Sequence, residues 1–194
     1  MLRLILEAST TPATWALCRQ GTILYSGTLT GTVTATLIPS LRSVLVTPSK
    51  PDQILVGVGP GSFSGIRSAI ASAEGMATTW GCPVLPIRST GSIAHQYSNI
   101  STLGIFSDAR RGDIFATFYS SGRLERATSV HPATELPSLL ARCTLAVASD
   151  DLPGIEKQAR PNATAAAAYL HEHGLEPGLS LEPIHLRPAV APKR

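Results

Sequence analysis

The stretch ILVGVGPGSFSGIRSAIASAEGMATTW, residues 54–80, decides the fold. A short apolar run bounded by glycine reads as a buried strand over residues 54–58, and the positions Ile66, Ile70, Ala73, Ala77 and Trp80 fall on one helical stripe. Between them lies a glycine-rich turn. Strand, turn and helix N-terminus together are a common way to build a phosphate site. The Walker pattern fails here because no glycine is followed by Lys and then Ser or Thr, and the dinucleotide fingerprint fails because GPGSFS ends in Ser64. Pro60 also removes a backbone N–H from the middle of the would-be cradle. Ser62 or Ser64 is placed to cap the helix, with Arg67 beside its free amides. Two readings of Gly59, Pro60, Gly61, Ser62, Phe63, Ser64, Gly65 and Arg67 therefore stay open. One is an anion site. The other is a tight strand-to-helix connection whose glycines supply unusual φ values. The nucleophile elbow is missed, since Gly61-Ser62-Phe63-Ser64-Gly65 holds serine at the wrong positions.

The helix after the turn has a second face. Ser68, Ala71, Ser72, Gly75 and Thr79 carry almost no side chain, and Arg67 and Glu74 are its charged residues between Ile66 and Trp80. Small residues let another helix backbone approach closely. This face therefore reads either as a core surface under its own sheet or as a subunit contact, joined by Leu41 from the preceding helix.

Outward from this unit, strands are expected at residues 2–6, 13–18 and 22–26, with Arg19-Gln20-Gly21 as a hairpin turn. Val33, Leu37, Leu41, Val44 and Leu45 recur at helical spacing, and Pro39 must lie near the first turn or kink that helix. A strand at residues 83–87 and a helix opening at Ser89-Thr90 follow. The order β-β-β-α-β-α-β-α then begins again after Tyr97, with strands at residues 102–106, 114–119, 124–130 and 145–148 and helices near residues 135–142 and 163–171. Two such units are the layout of the two-lobed actin-like, ribonuclease-H-like (ASKHA) α/β fold, the second unit reduced. Residues 1–100 form the first lobe on this reading. Residues 101–194 form a smaller second lobe with a proline-rich tail.

Composition narrows the function. The chain has 194 residues, 43% hydrophobic and 15% charged, with mean hydropathy +0.15, which supports a folded core with some apolar surface. Its net charge of +3 comes from scattered residues, with no basic run longer than Arg110-Arg111, and aromatics are 5%. Neither a basic face nor a stacking platform for RNA is evident. Cys18, Cys82 and Cys143 are widely spaced and read as reduced thiols. The opening MLRLILEAS lacks the apolar length of a signal peptide, and no run is long enough to span a membrane, so the expectation is a cytoplasmic protein. His171 and His173 diverge on a helix and read as solvated; His95, His131 and His185 stand alone, so no metal site is expected. Glu7 ends the first strand. It reads as a carboxylate capping its own turn with Ser9 and Thr10, or as a vestigial magnesium or water contact. Asp108 and Asp113 flank the hairpin sequence ARRG, where Arg110 and Arg111 either face solvent or reach a partner or a tRNA phosphate.

VGVGPGSFSGIR with its helix, STGSIA and DARRGDIFATFY together resemble the bacterial TsaB (YeaZ) family, most strongly over residues 54–119, with weaker matches in LILEASTTPATWAL and PIHLRP. The resemblance implies a non-catalytic accessory subunit, without a cofactor of its own, of the machinery that makes threonylcarbamoyladenosine beside the tRNA anticodon. Its implied partners are a homologous TsaD-type catalytic subunit, a TsaE-type ATPase and a second copy of itself, with tRNA met through the complex and ATP or ADP at the shared interface. In that family, helices of the first lobe pair with the partner in a helical bundle. The chain departs from the family pattern in Glu7-Ala8-Ser9-Thr10, where an aspartate-threonine-serine sequence is usual, in Thr34-Ala35-Thr36, and in its short second lobe. The rival expectations are a self-sufficient small-molecule kinase or ATPase of the same fold, and a tRNA-binding module.

Overall fold

The computed structural model describes residues 1–45 and 50–184, with side chains through residue 42 in the first segment. The expected roles of the Val44 and Leu45 side chains, of His185 and of the tail beyond it lie outside the described residues. Two mixed sheets organise the chain. The first is built from β1 (Leu2–Glu7), β2 (Thr14–Arg19), β3 (Thr22–Thr28), β4 (Gln53–Gly57) and β5 (Val84–Ile87), in the order β3-β2-β1-β4-β5. The second, of order β8-β7-β6-β9, uses β6 (Leu103–Arg110), β7 (Asp113–Ser120), β8 (Arg123–Pro132) and β9 (Leu145–Ala148). The helices are α1 (Val33–Leu45), α2 (Phe63–Trp80), α3 (Thr90–Gln96), α4 (Leu136–Leu140) and α5 (Ala163–His173). This is the repeated order of the actin-like fold.

The central strands are apolar on both faces because both are covered. Leu4, Leu6, Ile54 and Val56 point to a core shared with α1 and α2, while Ile5 and Leu55 point to a second core under α5. β1 runs parallel to β4, with Leu6 opposite Val56, and this register brings Glu7 level with Gly57. β1 and β2 pair antiparallel from Leu2↔Arg19 to Glu7↔Thr14. Gln20 and Gly21 close the β2–β3 hairpin with left-handed φ values of 49° and 83°.

α2 begins where Ser62 caps it, the side chain accepting from the Gly65 N–H at 3.3 Å, and ends at Gly81, whose φ of 70° is the usual left-handed stop. Ile66, Ala69, Ile70, Ala73, Met76 and Ala77 are buried against the sheet. Pro39 sits inside α1, beyond its first turn. Leu41, expected on a partner-facing surface, is instead fully buried in the protein's own core. It shares the inward stripe of α1 with Leu37. Ile38, about 100° further around the helix, is a large apolar residue that faces out, 49% exposed.

Packing does not follow a division at residue 100. α5 covers the first sheet on the side opposite α2, through Ala163, Ala166, Ala167 and Leu170. Leu179, Leu181 and Ile184 pack on the other side, and the Ile184 N–H donates to the Val58 carbonyl at 2.8 Å. Arg88 ties the C-terminal segment to both sheets. Its guanidinium grips Glu176, with Nε to Oε2 at 2.8 Å, and Nη1 donates to Thr128 Oγ1 of β8 at 2.8 Å.

The two α1 positions separate core from surface. Leu41→Ala should cost about 2–5 kcal/mol of unfolding free energy, as a buried large-to-small change does, whereas Ile38→Ala should cost about 0.5 kcal/mol or less. Urea titration of both variants checks the assignment.

Candidate functional site

Two surfaces meet at α2. One is the cleft between the sheets, a cavity of about 560 Å³ with Ser9, Gly61 and Ser62 on one wall and Asp108, Arg110 and Asp150 on the other. The second is a groove of about 350 Å³ between α1 and α2.

The glycine turn is stitched to its neighbours by its own amides. The Ser62 N–H donates to the Ser9 carbonyl at 2.7 Å, and the Gly59 N–H to Ser89 Oγ at 3.0 Å. Ser89 Oγ in turn donates to Glu7 Oε1 at 3.1 Å, and Glu7 Oε1 also accepts from the Ser9 N–H at 2.9 Å. Two donors of the turn, the Ser62 and Gly59 amides, are thereby committed to the protein, and Pro60 has none to offer. The glycines are explained by close approach. A Cβ at Gly57 would collide with the Glu7 carboxylate, one at Gly61 with the Ser9 carbonyl, and one at Gly65 with the Ala8 carbonyl. Gly59 and Gly61 also hold φ values of 99° and 149°, where side chains are disfavoured. These contacts are those of the tight strand-to-helix connection. Phe63 is 49% exposed at the helix start, with the Arg67 guanidinium 5.5 Å from its ring.

Glu7 is buried, 1% exposed, and its Oε2 has no hydrogen-bond partner among the described residues. Burial pushes its carboxyl above the usual value, opposed by the hydrogen bonds from Ser9 and Ser89. Its carboxylate caps the turn through the Ser9 N–H. Thr10 Oγ1 takes no part and has no hydrogen-bond partner among the described residues.

On the facing wall the β6–β7 hairpin turns through Arg110 and Arg111 at φ values of 65° and 57°. Asp108 holds the turn, accepting the Arg110 N–H at 2.6 Å and pairing with the Arg110 guanidinium at 2.9 Å. Asp150 accepts the Asp108 N–H on both oxygens at 3.2 Å, and burial raises its carboxyl. Arg111 is exposed, and Asp113 is half-buried where β7 begins. Among the described residues no group of three or more His, Cys, Asp or Glu could hold a metal ion.

The groove is lined by Ile38, Ala71, Ser72, Gly75, Thr79 and Trp80, with Met76 at its base. A Cβ at Gly75 would meet nothing within 4 Å among the described residues. Ser68, one turn earlier on α2, is half-buried and outside the groove. Ile38 was missed in the sequence because the α1 stripe through Leu37 and Leu41 was the stronger pattern. Trp80 serves both surfaces, packing on the core and lining the groove. Among the described residues no helix is long and apolar enough to cross a membrane. His171 is exposed, but His173 is not the solvated residue expected: its side chain is 16% exposed and its ring lies 4.6 Å from that of Tyr169.

Glu7 gives a signed pH dependence. A carboxyl raised above 4.5 in the folded state contributes stability that is complete at low pH and is lost as pH rises through the raised value. Glu7→Gln, whose side-chain oxygen still accepts from Ser9 and Ser89, should melt higher than the parent at neutral pH. The difference should shrink on acidification, as melting curves between about pH 4 and 8 would show.

A family model described as TsaD, tRNA N6-adenosine threonylcarbamoyltransferase, matches residues 32–141. Uncharacterized proteins of Mycobacterium tuberculosis and Mycobacterium bovis are 29% identical over 104 residues, 54% of this chain and 48% of theirs. The match thus spans about half the length of these curated relatives. YeaZ from Pseudomonas aeruginosa superimposes with a TM-score of 0.66 at 22% identity, over 92% of this chain and 99% of that one. A second structure, described as an uncharacterized protein from Pseudomonas aeruginosa with similarity to peptidase YeaZ, gives 0.67 at 20% identity over 96% and 99%. The element order, both sheets and the committed glycine turn are thus carried on a YeaZ-like fold, and the chain belongs to the TsaD family.

Proposed function

We propose that this chain is a non-catalytic subunit in the threonylcarbamoylation of tRNA, which uses its α1–α2 groove to bind and activate a TsaD-type catalytic subunit. The observation that carries the reading is the groove: Ile38 stands exposed beside a helix face that narrows to bare backbone at Gly75. Such a face admits a second helix at close range, and its apolar lining favours burial by a partner. The cleft supports the non-catalytic part of the reading, since two amides of its turn, those of Ser62 and Gly59, are bonded to Ser9 and Ser89 and Pro60 offers none. A nucleotide in the assembly, ATP or ADP, would then sit at the interface with the partner. A TsaE-type ATPase would join the same assembly, a second copy of this chain could take the groove when the catalytic subunit is absent, and tRNA would be contacted through the complex.

The test mixes this chain with the TsaD-type homologue from the same organism and follows size-exclusion chromatography with light scattering, then threonylcarbamoyl transfer to tRNA. A stable complex, with transfer only when both chains are present, is expected. No complex, with ATP hydrolysis by this chain alone, would make it a separate enzyme of the same fold. Gly75→Arg should leave the melting temperature of the isolated chain within a few degrees, because a side chain there has open space. It should abolish the complex. A variant that unfolds would place this helix face in the protein's own core and remove the basis of the proposal.

A further inference from the structure

A separate cavity lies where α5, the start of β8 and the segment after α5 converge. It has a volume of about 340 Å³, and its walls include Ile87, Leu124, Tyr169, Leu170, His173 and Leu175. We infer that this cavity binds a small aromatic monoanion, a flat apolar body carrying one carboxylate or sulfonate-like group.

The apolar part of the argument rests on the walls. Leu124, Leu170 and Leu175 supply an aliphatic side, and Leu175 is 37% exposed at the rim, where an apolar ligand would cover it. Tyr169 and His173 supply an aromatic side, their ring centroids 4.6 Å apart with a 51° tilt. A mostly apolar concavity of this size with a few polar groups is the usual form of a small-molecule site, and aromatic walls favour a planar body.

Charge selects an anion. Arg88 lines the cavity with its side chain 9% exposed, but its charge is already matched by Glu176. Arg123 is different. It lines the cavity and is exposed, and it makes no ion pair among the described residues. The balance of Arg88, Glu176 and Arg123 therefore leaves one positive charge over an apolar slot. The Tyr169 hydroxyl also has no hydrogen-bond partner among the described residues, and serves as a donor to the same anionic group. A cationic ligand would be repelled by Arg123, and a neutral one would leave that charge without a role.

The site is independent of the groove and of the proposed subunit role. The test titrates the full chain with anilinonaphthalene sulfonate, an aromatic monoanion, and with phenylnaphthylamine, a related ring system without the sulfonate, reading fluorescence. One saturable sulfonate site is expected. Arg123→Glu, at an exposed position, should weaken it about tenfold or more, which corresponds to about 1.4 kcal/mol, while leaving phenylnaphthylamine binding unchanged. Leu175→Asp should weaken both probes. Gly75→Arg should weaken neither, which separates this cavity from the α1–α2 groove. Absence of a saturable site, sulfonate binding indifferent to Arg123→Glu, or binding removed by Gly75→Arg would each overturn the inference.

Discussion

A carboxyl buried away from water, with no countercharge among the described residues, depends on hydrogen bonds to offset its lost hydration, and Glu7 is placed under that constraint. Its Oε1 takes the Ser9 N–H and the Ser89 hydroxyl, while Gly57 leaves room for the carboxylate beside β4. Through Ser89 the contact reaches Gly59, and through Ser9 it reaches Ser62. The ends of β1 and β4 and the starts of α2 and α3 are thereby fixed around one side chain. Three glycines, at 57, 61 and 65, keep the backbones close enough for these bonds to form.

The functional geometry follows from that fixed point. With the turn held by Ser9 and Ser89, α2 leaves the sheet in one direction, packs Ile66, Ile70 and Ala73 inward and turns Ala71 and Gly75 outward. The same bonds occupy two backbone donors of the turn, those of Ser62 and Gly59. A cleft remains because the second sheet stands opposite, with Asp108 and Asp150 tying the hairpin tip together there. The cleft and the groove thus lie on two sides of one helix.

Much of this was legible in the sequence. The strand, turn and helix of residues 54–80 were explicit because apolar periodicity, glycine and a capping serine agreed there. The repeated order of elements gave the actin-like fold for the same reason. The Glu7 turn cap was legible from Ser9 and Thr10 nearby, although only Ser9 supplies it. Less accessible were features set by tertiary packing. Leu41 and Ile38 are both apolar and three apart on α1, and only the placement of the sheet determines which one faces inward. His173 reads as polar surface until Tyr169 is seen beside it. The partnership of Arg88 with Glu176 spans 88 residues and has no local signature. Residues from 163 onward look like part of the second unit in chain order, yet Ala163, Ala166, Ala167, Leu170, Leu179, Leu181 and Ile184 pack on the cores of the first.

That return of the chain bears on how the protein is made. Ile5, Leu55 and Ile87 emerge early in synthesis, but the helix that shields them, α5, comes after residue 160. Until then one face of the first sheet has no cover. The first half is therefore not an autonomous folding unit, and closure of its core is a long-range event that waits for the far end of the polypeptide. A nascent chain halted midway would display the apolar underside of its central strands, a natural target for chaperones and for aggregation.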